Sequence, residues 1–134
     1  MPATLMHHAL EQAASRFGDR DAVRVDDEAW TFRDLDRLAG AFRTHLAALG
    51  VRPGDRVAVM TTNRVEFVVA VQGISKLGAA AVLLSPAWKA MEVGHAVELT
   101  APVHAVADGP AVAPLRERMG DGRVTDLDDP ATVA

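Results

Sequence analysis

The sequence predicts an α/β fold: a parallel sheet flanked by helices on both faces, preceded by a helix and a small β-hairpin. Three observations predict it. From Arg56 onward, short β-branched runs alternate with helix-period segments, in the order strand, helix, strand, helix, strand, helix, strand. Consecutive strands separated by helices pair in parallel through crossovers. Ala79 to Leu84 is wholly apolar, the pattern of a strand covered on both faces. The chain has 134 residues, one domain's length, and folding hides roughly 65–70% of the surface of such a chain.

Each element has its own signal. Leu5, Met6, Ala9, Leu10, Ala13, Ala14 and Phe17 recur on one helical face, with Thr4 placed to cap the start and Gly18 to end it. Ala22, Val23 and Val25 predict a strand, Asp26 to Glu28 a turn, and Ala29 to Thr31 a returning strand. Thr31 and Asp34 form a capping-box pattern, with Asp in place of Glu, ahead of the stripe Leu35, Leu38, Ala39, Phe42, Leu46 and Leu49; Gly50 closes it. Arg52-Pro53-Gly54-Asp55 is a turn by residue type, and Arg56 to Met60 a strand. Asn63 and Glu66 repeat the capping pattern before Arg64 to Leu77, which is apolar on nearly all sides. Its β-branched content argues for strand, but its length, cap and terminal Gly78 decide for a buried helix. After the strand Ala79 to Leu84 come the loop Ser85-Pro86-Ala87-Trp88, a helix over Lys89 to Leu99, a strand over Val103 to Ala107, a helix over Ala111 to Met119, and a last strand at Arg123 to Thr125. We read residues 1–126 as a single α/β subdomain and 127–134 as an acidic tail or linker.

Composition removes several function classes. The chain is 49% hydrophobic and 24% charged, which excludes a disordered chain. Its net charge of −4, with four Phe, two Trp and no Tyr, argues against nucleic acid as a partner. With no cysteine there is no disulfide, thiolate metal site or cysteine nucleophile, which fits a cytoplasmic protein. The longest apolar runs fall far short of the ~20 residues of a membrane span, so no transmembrane segment is expected. No targeting signal is expected within Met1 to Phe17, where His7, His8, Glu11, Gln12 and Arg16 interrupt any apolar stretch.

Candidate chemistry is sparse. Ligands bind open parallel sheets beyond the carboxyl ends of the strands. The loops there are Thr61-Thr62-Asn63, Ser85-Pro86-Ala87-Trp88 and Asp108-Gly109-Pro110, none a phosphate cradle. Gly73 and Gly78 have the spacing of a phosphate loop, but Ala79 and Ala80 stand where Lys and Ser/Thr are needed, so close packing and a helix cap explain them. His7 and His8 are adjacent on a helix and are expected to point apart, and His45, His95 and His104 lie on separate elements; no metal site is expected. Asp26, Asp27 and Glu28 lack EF-hand spacing and read as a hairpin turn; Asp126, Asp128 and Asp129 read as a solvated tail. Ser15, Ser75 and Ser85 have no nucleophile-elbow setting, so no catalytic residue is assigned. Asn63 reads as a helix cap, and Arg116 and Arg118 as a solvated helix face. Trp88 is a large ring in a loop where ligands bind, and either floors a pocket or covers a core edge.

The order of motifs says more. Arg16-Phe17-Gly18-Asp19-Arg20-Asp21-Ala22-Val23 is followed by Trp30-Thr31-Phe32-Arg33-Asp34-Leu35, then Leu49-Gly50-Val51-Arg52-Pro53-Gly54-Asp55-Arg56-Val57-Ala58, Asn63-Arg64-Val65-Glu66-Phe67 and Lys76-Leu77-Gly78-Ala79. This series resembles the N-terminal portion of the adenylate-forming (AMP-binding) ligases: acyl-CoA synthetases, 4-coumarate-CoA-like ligases, luciferases and peptide-synthetase adenylation domains. The phrasing is most like acyl-CoA synthetase, that is, fatty-acid–CoA ligase. The resemblance runs from about Leu5 to Asp108, with Thr62-Asn63 in place of the family's Pro-Asn and Ser85-Pro86 in place of its Asn-Pro.

The resemblance implies an acid–thiol ligase of fatty acid metabolism. A carboxylate attacks the α-phosphate of ATP, giving an acyl-adenylate and pyrophosphate, and a thiol, usually CoA, then displaces AMP. Magnesium and cationic groups offset charge on the phosphates. The family's Ser/Thr- and Gly-rich phosphate loop, ribose-binding Asp and C-terminal catalytic Lys match no position here. The resemblance therefore implies an N-terminal fragment, inactive alone and partnered by the remainder of its parent enzyme, with ATP, Mg and CoA belonging to the full-length protein. Ser85, Pro86 and Trp88 are the candidate channel residues for CoA or acid. The alternative is a stand-alone, non-catalytic interaction module. A subdomain of this kind exposes an apolar seam, which predicts association, including a homo-oligomer.

Overall fold

The computed structural model describes residues 5–129. Helix α1 (Met6–Phe17) leads into a hairpin of β1 (Asp21–Val25) and β2 (Glu28–Thr31). Val25 pairs with Glu28, so Asp26 and Asp27 form the two-residue turn, with Asp26 at a φ of 54°. Helix α2 (Phe32–Ala48) begins at the expected capping box: Thr31 Oγ1 accepts from Asp34 N–H at 3.1 Å, and the Asp34 carboxylate accepts from Thr31 N–H at 3.1 Å. Hydrogen bonding from Thr31, its backbone N–H first, favours the ionised carboxylate and holds Asp34 below the usual carboxylate range.

Strand β3 (Arg56–Met60), helix α3 (Val65–Leu77), β4 (Ala80–Leu83), α4 (Ala90–Thr100), β5 (His104–Ala107), α5 (Val112–Met119) and β6 (Val124–Asp126) complete the alternation. The four strands pair in parallel in the order β4-β3-β5-β6. The pleat sends alternate residues of β3 to opposite faces. Val57 and Val59 join Leu46, Ala70, Ile74 and Leu77 under α2 and α3, while Ala58 and Met60 join Val93, Val112 and Leu115 under α4 and α5. A third cluster, Leu10, Leu35, Ala39, Val65 and Val69, packs α1 and the hairpin against α2 and α3.

Two glycines are explained by this packing. A Cβ on Gly73 would lie 3.0 Å from the Ala39 carbonyl oxygen and 3.1 Å from Phe42 Cβ, tighter than ordinary contact, so the close crossing of α2 and α3 favours glycine there. Gly78 ends α3 at a φ of 83°, in the left-handed region that glycine enters without a Cβ penalty.

Several expectations are corrected. β4 is an edge strand; Leu83 is 57% exposed, so one side of the strand lacks the cover that its composition suggested. On α4 the burial is carried by Val93 and Gly94, while the apolar Met91 and Leu99 are 83% and 73% exposed. The cap residue of α3 is Arg64, not Asn63, and no side chain caps it; Glu66 bonds the Arg64 guanidinium rather than a backbone N–H. Of the acidic segment, Leu127 is buried and its N–H donates to Ala107 O at 2.9 Å, extending the β5–β6 ladder. Thr4 and residues 130–134 lie outside the described residues. No helix among the described residues is long and apolar enough to cross a membrane.

Candidate functional site at the carboxyl edge of the sheet

The strand order reverses direction between β3 and β5: the chain leaves β3 for β4 on one side, then crosses to β5 on the other. The crevice beyond the carboxyl ends of β3 and β5 is where such sheets place ligands. Here the loops after β3, β5 and β6 meet around one buried carboxylate.

Asp108, immediately after β5, accepts from Thr62 N–H at 3.1 Å and from Thr62 Oγ1 at 2.6 Å. Its side chain is only 5% exposed, and Arg64 Nη1 closes the site from outside at 3.1 Å. The same guanidinium donates to Asp128 Oδ1 at 2.9 Å and to the Glu66 carboxylate. Asp128 Oδ2 in turn accepts from Gly109 N–H at 2.9 Å. The Arg64 bonds, then the Gly109 N–H, hold the Asp128 carboxyl below its usual range. Glu66 first, then Asp128 and Asp108, raise the Arg64 guanidinium further above neutrality against the cost of its burial. Three carboxylates and one guanidinium thus tie three loops together across the switch point. The bonds of this cluster run between its own members and so join the loops to one another.

The other sequence candidates fall beside this cluster rather than in it. Ser85 Oγ accepts from Ala87 N–H at 3.2 Å, and Ser85 O accepts from Trp88 N–H at 3.1 Å, so the Ser85-Pro86-Ala87-Trp88 loop is a self-contained turn. Trp88 is 38% exposed and belongs to none of the three core clusters. Arg118 lies across Gly94 of α4, so it packs on a neighbouring helix rather than extending freely into solvent. A shallow apolar pocket of about 230 Å³ opens at the β4 edge, lined by Met6, Val71, Ile74, Ser75, Ala79, Ala81 and Leu83.

The histidines are closer together than their sequence positions suggested. His7 and His8 have ring centroids 4.3 Å apart, because rotation about the side-chain bonds brings adjacent rings together from diverging backbone directions. His45 Nε2 and His104 Nε2 lie 3.0 and 2.7 Å from the single hydroxyl of Thr125. That pairing joins residues far apart in the chain, and no local pattern announces it. Burial first, then His45 and Arg123, push the His104 imidazole down to about 4; burial also lowers His45.

Residues 10–132 match the AMP-binding family, described as AMP-binding enzyme. The phosphinothricin tripeptide synthetase PhsC of Streptomyces viridochromogenes is 37% identical over 67% of this chain and 8% of its own length. The long-chain-fatty-acid–CoA ligase of Salmonella typhimurium is 37% identical over 64% of this chain and 16% of its own. Among solved structures, apo MbtA of Mycobacterium smegmatis superposes with a TM-score of 0.87 at 34% identity, covering 97% of this chain and 25% of that one. The chain therefore spans only a small part of the relatives it matches. The motif series, the β4-β3-β5-β6 sheet with its leading hairpin and the match over residues 10–132 agree: this chain belongs to the AMP-binding enzyme family, to whose N-terminal region its fold corresponds.

Proposed function

We propose that this chain is the N-terminal scaffold of an ATP-dependent acyl-CoA synthetase, inactive by itself, whose parent enzyme adenylates a carboxylic acid and transfers the acyl group to the thiol of CoA. The observation that carries this reading is the family match over residues 10–132, joined to the small share of each relative that the chain spans. The carboxyl-edge cluster supports it, since its ionised groups are spent on holding loops. ATP, Mg and CoA then belong to the rest of the enzyme, and the exposed apolar residues Leu83, Met91 and Leu99 form the seam that the rest covers. In the first step an acid oxygen attacks the α-phosphorus and pyrophosphate leaves; in the second a thiol sulfur attacks the acyl carbon and AMP leaves. The named relatives of both kinds, a fatty-acid–CoA ligase and a peptide synthetase, fit an acid-activating parent.

The test measures pyrophosphate release with ATP, magnesium and a panel of fatty and aryl acids. The 134-residue chain should match a blank without protein, and the polypeptide extended through its reading frame should release pyrophosphate in an acid-dependent way. Acid-dependent release by the short chain overturns the scaffold reading. A stop codon directly after Ala134, with a defined partner or a homodimer seen in sedimentation, favours the interaction module instead.

The loop Ser85, Pro86 and Trp88 is proposed as one wall of the CoA or acid channel of that parent. Trp88 is more than a third exposed, so Trp88→Ala should destabilise by less than the 3–5 kcal/mol typical of a core aromatic. In the full-length enzyme it should raise the KM for acid or CoA severalfold with little change in Tm. A large loss in Tm with unchanged KM values excludes the channel role.

A further inference from the structure

One group of metal-ligating side chains lies away from the carboxyl edge. His7, His8 and Glu11, all on the first turns of α1, bring one ring nitrogen from each histidine and a carboxylate oxygen within 4.8 Å of one another. We propose that these three residues form a binding site for a borderline divalent cation such as zinc, held by two imidazole nitrogens and one carboxylate with a fourth position left to solvent.

The donor set suits this class of ion: zinc takes histidine nitrogen and carboxylate oxygen, with Zn–N near 2.0–2.1 Å, so tetrahedral ligand atoms sit about 3.3 Å apart. Closing from the observed spacing asks for small side-chain rotations by His8, which is half-buried, and Glu11, which is exposed.

The surroundings already resemble an outer shell. His7 is buried, and its Nδ1 lies 2.9 Å from Ser75 Oγ on α3, which also accepts the His7 backbone N–H at 3.2 Å. With Nδ1–H donating to Ser75, His7 Nε2 keeps its lone pair for a metal, and the ring is held in place. His8 Nδ1 accepts from Leu5 N–H at 3.1 Å, an exposed bond that water can replace.

The competing cation is Lys76, whose Nζ lies 3.1 Å from Glu11 Oε2. Lys76 also bonds Asp36 Oδ1 at 2.7 Å, so Glu11 can turn to a metal without leaving the ammonium unpaired. With neutral imidazoles, two carboxylates and one ammonium leave the neighbourhood with a net charge of about −1, which favours a cation.

The experiment titrates zinc into the 134-residue chain prepared without a polyhistidine tag, by calorimetry, with cobalt absorption reporting coordination. The site predicts one ion per chain and a raised Tm with zinc. His8→Ala and Glu11→Ala, at positions that are not buried, should keep the fold and each weaken binding at least tenfold. Ser75→Ala should weaken it about tenfold through the lost outer-shell bond. His95→Ala, exposed on α4, should bind like the parent chain. Absence of binding, unchanged affinity in both His8→Ala and Glu11→Ala, or equal loss in His95→Ala overturns the assignment.

Discussion

Replacing Arg64 by Met should cost the fold about 2–3 kcal/mol, several times the cost of removing an ordinary surface arginine. The reason is what stays behind. Asp108 keeps its bonds from Thr62 but loses the cation that pairs with it among the described residues, at a carboxylate side chain just 5% exposed. Breaking a buried pair from one side typically costs 3–5 kcal/mol because a charge is left uncompensated. The figure is reduced here because Arg64 is itself 27% exposed and water can reach its place. Arg24→Met is the comparison: Arg24 and Asp21 are 68% and 47% exposed, and such pairs contribute about 0–1 kcal/mol. Urea unfolding of both variants checks the contrast. Adding Asp108→Asn to Arg64→Met should recover stability relative to the sum of the single changes, because a neutral amide no longer needs the guanidinium. Equal losses in Arg64→Met and Arg24→Met would show that the three loops are not held by this cluster.

What the sequence disclosed and what it withheld follow from the range of each interaction. Arg56–Met60 is read to the residue because β-branched runs between a turn and a cap are local signals. The Thr31–Asp34 capping box is likewise complete within four positions. Asn63 failed as a cap because Asn63-Arg64-Val65-Glu66 satisfies the pattern one residue too early, and the pattern cannot see that Glu66 has a guanidinium within reach. The composition of β4 suggested an interior strand; its edge position comes from strand order, which periodicity does not encode. The loops after β3 and β5 were legible as the ligand-facing edge, yet the Arg64, Asp108 and Asp128 cluster was not. Its members are 44 and 64 positions apart, and each alone looks like a solvated charge. The family resemblance, carried by five motifs in order, reached further than any of these local signals.

Acidification should destabilise this chain as pH falls from about 6.5 toward 4, and His104 is the leading cause. A histidine whose folded-state value is lowered binds its proton more readily when unfolded, so stability is complete above the unfolded value near 6.5 and is lost as pH falls toward the folded value of about 4. The shift corresponds to about 3 kcal/mol over that window, a large share of a small domain's stability. Geometry gives the shift its physical content. His104 is 3% exposed on β5, its Nε2 shares the Thr125 hydroxyl with His45, and Arg123 adds a positive field. One hydroxyl proton cannot serve two imidazole acceptors, so at least one ring donates to Thr125 and the neutral pair is self-consistent. A proton added to His104 has no carboxylate among these partners to meet it. Burial lowers His45 and His7 as well, so their contributions run in the same direction. Chemical denaturation at pH 7.5 and 4.5 should show a loss of about 2–3 kcal/mol in the parent chain. His104→Gln keeps a hydrogen-bonding amide beside Thr125 but does not titrate, and should flatten most of that slope. If His104→Gln loses stability with pH as steeply as the parent, the acid sensitivity has another source and the Thr125 pairing carries no protonation cost.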